Sequence, residues 1–189
     1  MGFEQLKQDV LSRIDKSRKG SVDEKIKDLC ELVNSKDDYV TLSSCSGRIC
    51  LLKACAKKHL CEWLVVTHDL ANSDEFKDAL NKYSGEEKII FKQEPPIIHI
   101  GCQSIEIAQD LVDLARQNSF KRPAILSTRK KIVVEIAGSE FLEAPVFDSE
   151  KLISDDYLKY LVEVANEKMQ KSWDQIEKLR TVLEEKQNK

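Results

Sequence analysis

The chain has 189 residues, with 30 Lys plus Arg against 33 Asp plus Glu and a formal net charge of -3. That balance excludes a globally basic nucleic-acid binder, and 41% hydrophobic with 33% charged residues excludes a disordered chain. Only 6 Gly and 4 Pro occur, well below the usual ~12%, so regular elements should dominate over long loops. Phe3, Leu6, Val10, Leu11 and Ile14 recur at helical spacing and predict a helix over 3–17, broken by Ser17-Arg18-Lys19-Gly20. Val22, Ile26, Leu29, Cys30 and Val33 predict a second helix, with Ser21 as N-cap and Asp23 and Glu24 in its first turn. The β-branched stretches 39–44, 48–52 and 62–68 read as strands, with an ambiguous segment, KACAKKHLC, between the last two. Asn72 and Glu75 form a capping box for a helix at 73–83, ended by Gly85. Strands are predicted at 88–93 and 95–102, parted by Glu94-Pro95-Pro96. A helix capped by Ser104 carries Ile105, Ala108, Leu111, Val112 and Ala115 on one face. Three short strands follow: AILST, KIVVEIAG and EFLEAPVF. From Ser154 on, apolar residues from Leu158 to Leu183 step by threes and fours, which predicts one long helix that frays at its end. Its stripe serves either the chain's own core, the preferred reading, or a coiled-coil seam. The expected architecture is a single mixed α/β (α+β) domain over 1–189, with the long helix at 154–187.

No run approaches the ~18–20 apolar residues of a membrane span, and residues 1–20 lack a signal peptide's apolar core. A cytoplasmic protein with no membrane partner is expected, and its six cysteines are expected to be thiols. Four of these, Cys45, Cys50, Cys55 and Cys61, cluster without the C-x2-C knuckle of a zinc site. Buried thiols are therefore expected rather than a metal site.

No two glycines are spaced G-x-G, and no G-x4-G-K-[ST] occurs, so neither a dinucleotide fingerprint nor a P-loop is present. The most informative string is Ser43-Ser44-Cys45-Ser46-Gly47-Arg48. It follows a strand and can offer hydroxyls, amides and a guanidinium to a carboxylate or phosphate. Its alternative is a plain polar turn. His68 and His99 sit in predicted strands and are either core residues or site residues. Cys45 beside a histidine could form a thiol nucleophile, but no third orienting group can be read from the chain. Two windows lack acids: residues 39–61, with Arg48, Lys53, Lys57 and Lys58, and residues 114–134, with Arg116, Lys121, Arg122, Arg129, Lys130 and Lys131. They form a positive face for phosphates if they meet in space, and scattered solvated cations if they do not.

SSCSGRI, EWLVVTH, FKQEPPIIHI, SFKRPAI and LISDDYLKYLVEVANEKM, in that order, resemble the tRNA wybutosine-synthesizing protein 3 family over nearly the whole chain. The resemblance implies a non-Rossmann, S-adenosylmethionine-dependent methyltransferase. Its substrate would be tRNA(Phe), methylated at N-4 of the 4-demethylwyosine-type base 3′ of the anticodon. It implies Ser43, Ser44, Cys45, Gly47 and Arg48 at the cofactor, with His68 and His99 as base or base-orienter. Lys121 would match a basic family position, and Lys53 and Arg122 join it as candidate RNA contacts. Methyl transfer from a sulfonium needs no covalent enzyme intermediate, so Cys45 is not assigned as nucleophile. Ser119 stands where the family carries glycine, at a helix C′ position that favours left-handed backbone. Pro123-Ala124 replace Ser-Gly, removing an N–H and a hydroxyl from that loop. The other readings are a non-catalytic RNA-binding module on the same basic face and a thiol-rich metal protein. A monomer or weak dimer is expected.

Overall fold

Among the described residues every strand pairing is antiparallel. That is the opposite of the doubly wound parallel sheet which the missing glycine fingerprints already argued against. The computed structural model describes residues 2–12, 21–54 and 62–186. In chain order the elements are α1 (Phe3–Leu11), α2 (Glu24–Ser35), β1 (Tyr39–Cys45), β2 (Arg48–Lys53), β3 (Trp63–Thr67), α3 (Ser73–Lys82), β4 (Ile89–Glu94), β5 (Ile97–Cys102), α4 (Ile105–Gln117), β6 (Ala124–Ser127), β7 (Ile132–Ala137), β8 (Leu142–Asp148), β9 (Glu150–Lys151) and α5 (Asp155–Glu185). This is the expected mixed α/β class. The chain divides into two compact units, each built on one sheet.

The first unit comprises Met1–Ser46, Pro96–Ser139 and Ser172–Lys189. Its sheet runs β1-β5-β7-β6, and its core joins Ile26, Leu29 and Val33 of α2 with Val40, Ile100, Val134, Ile136 and the Leu111 face of α4. Each such buried side chain contributes roughly 1.5–3 kcal/mol of transfer free energy. α4 is capped as expected, with Ser104 Oγ accepting the Ile107 amide at 3.3 Å. At its far end Ser119 has φ 80, and the Phe120 amide reaches back to the Ala115 carbonyl at 3.1 Å. This is a Schellman-type stop built on a residue with a Cβ, with Phe120 buried behind it.

The second unit comprises Gly47–Pro95 and Glu140–Lys171. Its sheet runs β3-β2-β4-β8-β9. Ile49, Leu51, Ile89 and Phe91 alternate inward along β2 and β4, and Phe76 of α3 meets Phe91 with ring centroids 5.8 Å apart. Asn72 caps α3 by accepting the Asp74 amide at 2.9 Å. α3 stops at Lys82, before Gly85.

α5 is one continuous helix of 31 residues, about 46 Å long, and it contributes to both units. Leu158, Leu161, Val162, Ala165, Met169, Trp173, Ile176, Leu179 and Leu183 are all buried within the single chain. The stripe therefore serves the chain's own core, and the coiled-coil alternative falls.

Two expectations need correction. The N-cap position of α2 falls on Asp23, not Ser21, because extended backbone continues through Asp23, whose side chain makes no cap bond. The two-residue strand β9, entered through Ser149 at φ 63, has no periodicity that pattern reading could detect. The break at Ser17–Gly20, residues 13–17 of the first predicted helix, and most of KACAKKHLC with Cys55, Lys57, Lys58 and Cys61 lie outside the described residues. No helix is long and apolar enough to cross a membrane among the described residues.

Candidate active site

In the first unit the antiparallel register sets Ser43 of β1, His99 of β5, Glu135 of β7 and Ala124 of β6 opposite one another in a row across the sheet. Directly opposite residues share a face, and the first three side chains are joined. Ser43 Oγ lies 2.9 Å from His99 Nδ1, and His99 Nε2 lies 3.0 Å from Glu135 Oε2. A carboxylate can only accept, so Glu135 fixes the hydrogen on Nε2. Nδ1 then accepts the Ser43 hydroxyl hydrogen. Ser43 is exposed, and His99 and Glu135 are 27% and 29% exposed. The row is thus a hydroxyl–imidazole–carboxylate chain with its hydroxyl end toward solvent. Chemically it can take up a proton at the serine oxygen while passing the serine's own proton to Nδ1.

Ser43 reaches this position because β1 carries an irregularity between Thr41 and Ser43. There the strand slips by a residue and turns its last residues over. Just beyond, Ser46 is fully buried, and Asp23 Oδ2 accepts its amide at 3.0 Å and its hydroxyl at 3.3 Å. Asp23 therefore anchors the motif instead of capping its own helix. Cys45 is half-buried and Ser44 half-buried.

The motif's other half belongs to the second unit. Gly47 has φ 98, a conformation that strains any residue with a Cβ. Its carbonyl accepts from His68 Nδ1 at 2.9 Å, so His68 carries its hydrogen on Nδ1, the reverse of His99. Arg48 pairs through Nε with Glu94 and lies over the Trp63 ring at 5.1 Å. The other four of a guanidinium's five N–H donors are on its two terminal nitrogens.

The candidate RNA contacts separate. Lys53 is ion-paired with Glu62 at 3.2 Å and sits over the Tyr83 ring at 5.4 Å, so it is held inside its unit's own network. Lys121 and Arg122 are exposed and make no ion pair among the described residues. They lead directly into Ala124, at the end of the Ser43–His99–Glu135 row. The thiols Cys30, Cys50 and Cys102 are buried, and burial pushes Cys50 and Cys102 up to about 12, which makes them inert at neutral pH.

Sequence reasoning missed three residues. Glu135 is the lone acid in the apolar strand KIVVEIAG, and that loneliness was its signal. Asp23 passed for an ordinary first-turn acid. Glu94, read as part of a strand break, pairs Arg48.

Comparison with known proteins bears out the family resemblance. Residues 5–185 match the family model described as Methyltransferase TYW3. A tRNA wybutosine-synthesizing protein 3 homolog of Danio rerio is 36% identical over 189 residues, spanning 96% of this chain and 74% of that protein. A Pyrococcus abyssi protein named tRNA(Phe) 7-((3-amino-3-carboxypropyl)-4-demethylwyosine(37)-N(4))-methyltransferase 2 is 34% identical over 165 residues, spanning 86% of this chain and 80% of its own. The structure of PH1069 protein from Pyrococcus horikoshii matches with a TM-score of 0.89 at 32% identity, covering 96% of each chain. With its motif strings, its fold and a family match over residues 5–185 in agreement, the chain belongs to the Methyltransferase TYW3 family of wybutosine biosynthesis.

Proposed function

We propose that the chain transfers a methyl group from S-adenosylmethionine to N-4 of the 4-demethylwyosine-type base 3′ of the anticodon in tRNA(Phe). Family membership and the name of the Pyrococcus abyssi relative support the substrate. The observation that carries the chemistry is the Ser43–His99–Glu135 chain.

Bound S-adenosylmethionine supplies a methyl carbon on a sulfonium, already a good leaving group. The chain's own residues must then hold the target nitrogen in line and remove its proton if it carries one. Ser43 accepts that proton as its own hydrogen moves to His99 Nδ1. The resulting imidazolium is stabilised by the Glu135 carboxylate at 3.0 Å. In the second unit, the terminal N–H donors of the Arg48 guanidinium, beside the Nε that pairs with Glu94, suit the cofactor's carboxylate. Lys121 and Arg122, exposed beside the row, are the contacts assigned to RNA phosphate. His68 holds the backbone of the motif through the Gly47 carbonyl.

Incubating the protein with labelled S-adenosylmethionine and tRNA(Phe) bearing the demethyl base tests the reading. Label is expected at N-4 of that base in the digested RNA. Binding of the RNA with no heat on titrating S-adenosylmethionine would instead identify a non-catalytic RNA-binding module.

A further inference from the structure

A cavity of about 640 Å³ opens at the far end of the first unit's sheet. Phe3 and Leu6 of α1 and Ile132 at the start of β7 give it an apolar lining. The β6–β7 turn adds Arg129, Lys130 and Lys131, and among the described residues no acidic side chain lines it. All three cations are exposed, and none makes an ion pair among the described residues. Three consecutive like charges repel one another until an anion reaches them.

We propose that this cavity binds a nucleotide of the RNA substrate other than the one that is methylated. Backbone phosphates would meet the Arg129–Lys131 turn, and an unstacked base would lie against Phe3, Leu6 and Ile132. The proposal rests on the tRNA reading above. A volume in the ~300–1,000 Å³ range of small-molecule pockets suits a nucleotide. An apolar aromatic surface beside a basic strip is how proteins hold single-stranded RNA. The charge favours RNA phosphate over the cofactor: the sulfonium and ammonium of S-adenosylmethionine would meet cations, and the described lining offers them no carboxylate. The cavity is also separate from the His99 site. Ile132 and Cys102, opposite each other in register, lie three residues along β7 and β5 from Glu135 and His99, roughly 10 Å. That odd spacing directs them to the other face of the sheet. The cavity therefore gives the RNA a second hold, remote from the reacting base.

Fluorescence anisotropy with a labelled, unmodified tRNA(Phe) transcript tests this on the full chain. The triple variant Arg129→Ala, Lys130→Ala, Lys131→Ala should weaken binding about tenfold or more and flatten the slope of log K against log salt by about two. Phe3→Ala should weaken binding at least about fivefold with the slope retained, as loss of a stacked base requires. Wild-type affinity and salt slope in the triple variant would overturn the proposal. So would adenosine monophosphate displacing the transcript at equal phosphate concentration, which assigns the cavity to a free nucleotide. Loss of oligoglutamate binding in the triple variant with RNA binding intact would assign it to an acidic peptide and also overturn it. The methylation assay keeps the two readings apart. In the triple variant KM for tRNA should rise with calorimetric affinity for S-adenosylmethionine unchanged. A wild-type protein that binds the transcript with the expected slope, yet methylates nothing, would defeat the methyltransferase reading and leave this one supported.

Discussion

His99 is bonded side chain to side chain at both ring nitrogens, between a hydroxyl and a carboxylate. His68 gives its Nδ1 hydrogen to a main-chain carbonyl. Both come from strand-borne strings of similar appearance, yet their partners suit them to different work. A carbonyl can only accept, so its bond with His68 fixes the ring's tautomer and holds the backbone at Gly47. A histidine between a hydroxyl and a carboxylate can accept a proton and be stabilised once it has done so. Under the mechanism proposed above, these partners assign proton transfer to His99 and positioning to His68.

The largest effect should come from breaking this contrast at its active end. His99→Ala is expected to lower single-turnover methylation of demethyl tRNA by about 100-fold or more, the usual scale of general acid–base catalysis. Cofactor affinity should be retained by calorimetry. Equal rates in variant and wild type would remove the base assignment. Glu135→Gln keeps the shape but can donate an amide hydrogen to Nε2, which moves the ring hydrogen to Nδ1 and ends acceptance from Ser43. Single-turnover rates should fall about 10- to 100-fold, and Glu135→Asp should recover part of the loss. His68→Ala should be milder in rate, under about fivefold, while urea denaturation shows a loss of about 1 kcal/mol for the missing hydrogen bond. A rate loss matching that of His99→Ala would erase the distinction between the two rings. The smallest effect is a gain. Ser119 holds a left-handed conformation, φ 80, so Ser119→Gly should raise stability by about 1 kcal/mol, slightly offset by the lost contact from Lys178. Urea midpoints of the two proteins measure it.

Local physics was readable in the chain and long-range pairing was not. Asn72 and Ser104 cap their helices as their positions implied, because a cap is decided within three residues. The strain at Ser119 was foreseeable from one residue at a helix end. The stripe from Leu158 to Leu183 gave α5 its extent. By contrast, nothing local says that β1 pairs with β5 over a separation of more than fifty residues. That pairing alone converts Ser43, His99 and Glu135 into a connected row. Asp23 was misread for the same reason. Its helix is next door in sequence, but its hydrogen bonds go to Ser46, twenty-three residues on. Nor could the change of sheet at Gly47 be read, because a glycine inside a polar turn is expected whether or not the chain leaves one unit there.

The passage of α5 through both units bears on how the protein is made. The unit that holds Ser43, His99 and Glu135 joins Met1–Ser46 and Pro96–Ser139 with Ser172–Lys189. Lys178 reaches Ser119, Lys186 reaches Asp110, and Lys25 lies over Trp173, all within that unit. Translation at ~5–20 residues per second therefore leaves the segment that carries Ser43 without this packing partner until more than a hundred further residues have been made. A premature stop at Ser172 would spare both segments of the second unit, Gly47–Pro95 and Glu140–Lys171. The damage would fall on the unit whose first strand left the ribosome more than a hundred residues earlier.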